Sequence, residues 1–162
     1  MYPWIVLLHI AGAFLFVISH GASAWVVVAL RRERDPARIR ALADLSSTSL
    51  TTAYIGLLLL LVGGIWAGID HDWFKMAWIW VALVVFIVIA VLMYAIATPY
   101  FKRLRIALGQ RVMGMPKDAP EPIAAADADI AAIAATAPAS LLVAVGLGGL
   151  LIILWLMVVK PF

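Results

Sequence analysis

His9 and His20 share one face of the first hydrophobic segment. Eleven residues separate them. At about 100° per residue the two imidazoles point roughly 20° apart on an α-helix, and their heights differ by roughly 16 Å, about half the hydrocarbon thickness. An ionisable side chain inside a bilayer is expensive, so a buried histidine pair marks a candidate site. Gly12, Ala13, Phe16, Ser23 and Val27 lie near the same face. Small residues beside His9 give clearance for a flat cofactor or a second helix. Haem b suits this pattern: imidazole is a usual axial ligand, and an apolar helix interior supplies the slot. The expected cofactor residues are His9, His20, Gly12 and Ala13, with His9 and His20 as the metal ligands.

Two hexacoordinate haems need four axial ligands, and this segment offers two. A homodimer with its axis along the membrane normal would face His9 with its mate and His20 with its mate. Met93 or a partner subunit are the other sources of a ligand. Two further readings stay open. The histidines can be neutral groups hydrogen-bonded between helices. Alternatively, His9, His71, Met76 and Met157 form a soft donor set near one membrane face that suits copper.

The composition requires a membrane. Of 162 residues, 66% are hydrophobic and 13% charged, with mean hydropathy +1.09. Soluble domains are roughly half apolar and a quarter charged. There is no cysteine, which excludes disulfides, iron–sulfur clusters and thiolate metal sites. The net charge of +3 does not point to nucleic acid. No Ser/His/Asp arrangement or phosphate-binding glycine loop is present, so haem-dependent oxidoreduction is the one enzymatic route left. The N-terminal segment has no basic residue ahead of its apolar run, and is expected to be a retained span.

The expected fold is all-α: one integral membrane four-helix bundle over 1–162, with spans near 4–30, 46–69, 73–98 and 138–159. Asp35-Pro36 reads as a helix start, with a cap followed by proline at the first position. Asp72 is expected to cap the third span and Pro99 to end or kink it. Residues 109–122 read as a loop, Glu121-Pro122 as another start, and 124–137 as a helical lead-in. Helical extensions are therefore expected ahead of spans two and four. Gly64 and Gly68 form a GxxxG spacing, and Gly146, Gly148 and Gly149 a second small-residue face.

Ten of the twelve Lys/Arg lie in 31–50 and 99–135. The positive-inside rule puts both regions in the cytoplasm and both termini outside. Trp4, Trp66, Trp73 and Trp155 then line the outer interface, with His9 toward the outer face and His20 toward the inner.

Leu7-Leu8-His9-Ile10-Ala11-Gly12, the apolar run to Ser19-His20-Gly21, and the basic connection after it resemble the opening of a family of uncharacterised bacterial four-span integral membrane proteins. More distantly, the segment is similar to the membrane domain of copper-resistance D proteins, which also begins with a Leu-His pair before small residues. The resemblance implies a bacterial plasma (inner) membrane and copper or haem as ligand. It covers His9 alone, since His20 falls where those proteins carry a small residue.

The leading expectation is a b-type haem protein moving electrons across the membrane as a homodimer, with a quinol or a redox protein as partner. The others are an accessory subunit of a membrane complex and a carrier of a small solute or copper. A carrier would need a carboxylate within the membrane, and Asp127 and Asp129 lie ahead of the fourth span.

Overall fold

The computed structural model describes residues 2–161. Its helices are α1 (Tyr2–Leu30), α2 (Pro36–Asp70), α3 (Ala77–Ala107), α4 (Asp127–Ala135) and α5 (Ala139–Val159). No strand occurs among the described residues. All but α4 are long and apolar enough to cross a bilayer, which makes the chain a multi-pass membrane protein. α2 has 35 residues. At 1.5 Å per residue it spans about 52 Å, so its N-terminal turns project well beyond a hydrocarbon core of roughly 30 Å.

The start of α2 follows from its sequence. Asp35 Oδ1 accepts from Ala37 N at 2.9 Å, and Pro36 occupies the first turn. Within α2, Thr48, Thr51 and Thr52 donate to carbonyls one turn back, so their hydroxyls are satisfied within the helix itself.

α1 packs chiefly on α2 and α3 on α5, and contact between α1 and α5 joins the pairs. Glycine brings α1 and α2 together backbone to backbone. A Cβ on Gly56 would stand 2.5 Å from Phe16 N, and one on Gly63 would stand 2.7 Å from His9 N. A Cβ on Gly12 would overlap the Leu60 backbone nitrogen. Such contact is how membrane helices associate where apolar burial gives no net drive.

A cluster of buried residues forms a core at the end that carries most of the basic residues. Leu30, Ile39, Ala43, Leu104, Leu108, Ile130 and Ala134 meet there. Tyr100 donates its hydroxyl hydrogen to Ala134 O at 3.3 Å and ties α4 to α3. Polar groups clasp α2 to the end of α3. Arg105 reaches Ala43 O at 2.6 Å and Ser47 Oγ, Arg40 reaches Leu108 O at 2.5 Å, and Gln110 Nε2 donates to Asp44 Oδ1 at 2.9 Å.

Three element boundaries differ from expectation. Asp72 makes no side-chain cap; it adopts a left-handed conformation (φ 55°), Trp73–Lys75 form a 3-10 turn, and α3 begins only at Ala77. Pro99 lies inside α3, which continues to Ala107. Glu121-Pro122 starts no helix: the chain runs on until Ala125 N bonds Ala107 O at 2.8 Å, and α4 begins at Asp127.

Candidate functional site

Both histidines point into the bundle of their own chain. His9 is half-buried against α2, where its Nδ1 lies 2.8 Å from Leu60 O. A carbonyl oxygen only accepts, so Nδ1 carries the hydrogen, and in the neutral ring Nε2 keeps a free lone pair. Gly63 and Gly64 make this position possible. A Cβ on Gly64 would stand 2.9 Å from both Cε1 and Nδ1 of the ring. Gly64 is thus a cradle for the imidazole.

His20 stacks on Phe16, one turn earlier, with ring centroids 5.5 Å apart and planes 12° from parallel. Its far edge rests on α5: a Cβ on Gly146 would be 2.7 Å from Nε2, and Met93 Cε lies 3.7 Å from the same point. Met93 and His20 therefore do approach each other. Ser23 Oγ, one turn below His20, is buried without a hydrogen-bond partner among the described residues.

A cavity of about 170 Å³ opens beside His9, between α1, α2, α3 and α5. Trp73, Phe74, Trp78 and Phe86 supply aromatic walls, with Ala82, Ile153 and Met157 among the aliphatic and thioether groups that complete the lining. His9 is the one titratable side chain among the lining residues. Trp78 is 1% exposed, and its indole N–H is held by Met76 Sδ at 3.3 Å. The Lys160 ammonium sits 4.3 Å from the Trp73 ring centroid and 5.4 Å from that of Trp78, two of the aromatic rings that line the cavity.

This geometry bears on each expected ligand set. The bare face of Gly12 is filled by the α2 backbone, so Gly12 provides helix contact and no porphyrin clearance; Ala13 is half-buried next to it. The Nε2 edge of His20 lies on Gly146, leaving no space for a macrocycle between them. The His9 cavity, about 170 Å³, is close to the roughly 150 Å³ that accommodates one benzene molecule, so it is of single-ring size. Pairing each histidine with a symmetry mate would require α2 and α5 to move aside.

Of the copper set, His9 and Met157 share the cavity, whereas Met76 is engaged by Trp78 and His71 lies 3.4 Å from Asp70 and against Trp73. No group of three or more His, Asp or Glu able to hold a metal occurs among the described residues. Asp127 and Asp129 lie in the first turn of α4, outside the long apolar helices.

The sequence alone did not single out Leu60, Trp78, Phe86 or Lys160. Gly64 was visible, with Gly68, as a helix-contact signal, though not as a seat for a ring.

Searches against family models, curated proteins and solved structures find no match to the chain.

Proposed function

We propose that the protein is a membrane-embedded binder of one lipid-soluble aromatic ring of the quinone–quinol class, serving redox chemistry in a bacterial inner membrane. The observation that carries this reading is the His9 cavity: single-ring size, aromatic walls, and one imidazole whose outer nitrogen is free. The wall residues come from separate elements, as in ligand sites built between the helices of bundles. The space around the His9 and His20 rings, closed by α2 and α5 at Gly64 and Gly146, does not favour haem b held by both.

Bromobenzene, a benzene-sized heavy-atom quencher, tests the reading in lipid nanodiscs. Trp73 and Trp78 line the cavity, so saturable quenching of tryptophan emission is expected, relieved by duroquinol and lost in Ala82→Leu, which fills the cavity. Quenching that rises linearly in both proteins contradicts the reading. A Soret band in the purified protein that disappears in His9→Ala or His20→Ala would replace it with haem binding.

A second arrangement favours assembly with another membrane protein. A Cβ on Gly148 would meet nothing within 4 Å, whereas one on Gly146 or Gly149 would meet side chains of the same chain. Gly148 therefore offers a bare helix face for a partner helix. A Gly148→Leu chain that no longer migrates with a larger complex in mild detergent is the result this reading expects.

A further inference from the structure

Resting on the ring-binding reading above, we propose that the His9 cavity selects the hydroxyl-bearing, reduced form of its ring, a quinol or phenol, over the carbonyl or ether counterpart. The selectivity follows from the tautomer. Leu60 O cannot donate, so the 2.8 Å contact fixes the hydrogen on Nδ1. Nε2 is then an obligate acceptor in the neutral ring. A hydroxyl directed at it makes a hydrogen bond. A quinone carbonyl or an ether oxygen directed at it sets lone pair against lone pair and leaves both groups unpaired.

The surroundings make that difference count. The ring is seated in the Gly64 cradle and cannot swing freely, because the glycine face holds its Nδ1–Cε1 edge within 2.9 Å of the position a Cβ would take. The walls around it are carbon-rich, so an unpaired oxygen has little chance of compensation there. A buried polar group left unpaired corresponds to roughly a tenfold to hundredfold loss of affinity. Metal-bound histidines commonly use the same pattern, with Nδ1–H on a carbonyl and Nε2 outward. Here His9 lines a cavity of one-ring size, and a hydroxyl hydrogen is the partner that an unprotonated Nε2 accepts.

The test uses 4-fluorophenol and 4-fluoroanisole, matched single rings that differ in the hydroxyl hydrogen. Their binding to the full chain in nanodiscs is followed by 19F NMR against empty nanodiscs. The phenol is expected to bind at least tenfold tighter than the anisole. His9→Asn keeps an amide donor near Leu60 O and removes Nε2, and should bring the two affinities together. His9→Gln places an amide oxygen near the Nε2 position and should restore part of the preference.

Equal binding of both probes to the native chain overturns the selectivity and leaves the ring-binding reading standing. A phenol preference that persists in His9→Asn overturns the assignment to His9. Absence of specific binding by either probe, with bromobenzene also failing to saturate, overturns both.

Discussion

The Nδ1 atom of His9 stands 2.8 Å from the carbonyl oxygen of Leu60, 51 residues along the chain. That contact joins the first two membrane helices and fixes which imidazole nitrogen carries the hydrogen in the neutral ring. It depends on two glycines. Gly63 lets the α2 backbone approach His9, and Gly64 leaves room for its ring.

Gly63→Leu should therefore damage the protein more than most apolar substitutions in a membrane helix. The new side chain has backbone in its way rather than the end of a flexible side chain. Overpacking of this kind costs about 1–3 kcal/mol. Thermal unfolding in mild detergent, followed by near-ultraviolet circular dichroism, should show a clear drop in Tm. Gly21→Ala, where nothing lies within 4 Å of a new Cβ, should leave Tm nearly unchanged.

The clasp at the basic end gives a second expectation. Arg105 is held by Ala43 O, Ser47 Oγ and, at 3.2 Å, Gln110 Oε1. Hydrogen bonds to a charged group are worth about 1.5–3 kcal/mol when removal leaves partners unsatisfied. Arg105→Met should loosen the α2–α3 junction and speed proteolytic cleavage within 109–126, with little effect on ring binding near His9. Unchanged cleavage would show that topology, and not this clasp, accounts for the arginine.

Beside two of the cavity's aromatic walls, Lys160→Met removes the ammonium from the Trp73 and Trp78 faces. A cation–π contact at an exposed site is worth about 0.5–1 kcal/mol. The tryptophan emission maximum should move, and a cavity ligand should dissociate faster once these two wall rings lose the ammonium that holds them. An unaltered dissociation rate would mean that Lys160 caps the rings without slowing ligand release.

Glu33 carries a pH signature. The backbone N–H groups of Asp35 and Arg34 donate to its carboxylate and hold its pKa below the ordinary value of 4.5. Its folded pKa is depressed, so the stability it adds is fully present above the unfolded value and is lost as pH falls through the folded one. Tm measured across the acid range should fall less steeply in Glu33→Gln than in the native chain. Identical slopes would rule out this contribution.

The all-α class was legible because four long apolar runs have one economical solution in a bilayer, and the start of α2 because Asp35-Pro36 is a strong local signal. Of the two outcomes expected at Pro99, an end to the helix does not occur: proline removes one backbone donor, which a helix tolerates when Tyr100, Leu104 and Ala107 beyond it are buried against neighbours. Glu121-Pro122 misled for the converse reason: a good local start is overridden where the strand of chain pairs with Ala107 O.

The common face of His9 and His20 was readable from helical period alone. What covers that face was not. Leu60 and Gly64 come from α2, Phe86 from α3 and Gly146 from α5, and no spacing within α1 encodes them. Gly64 and Gly68 also show the limit of a motif. Their spacing predicts a helix contact, whereas Gly64 seats an imidazole and Gly68 faces the Phe74 ring.

The most direct test is the 15N spectrum of His9 in protein labelled at its three histidines, assigned with His9→Asn. The expected result is a protonated Nδ1 and an unprotonated Nε2, with the Nε2 resonance moving when 4-fluorophenol is added and staying in place with 4-fluoroanisole. A hydrogen found on Nε2, or an Nε2 resonance indifferent to the phenol, would contradict the cavity's role as an acceptor site.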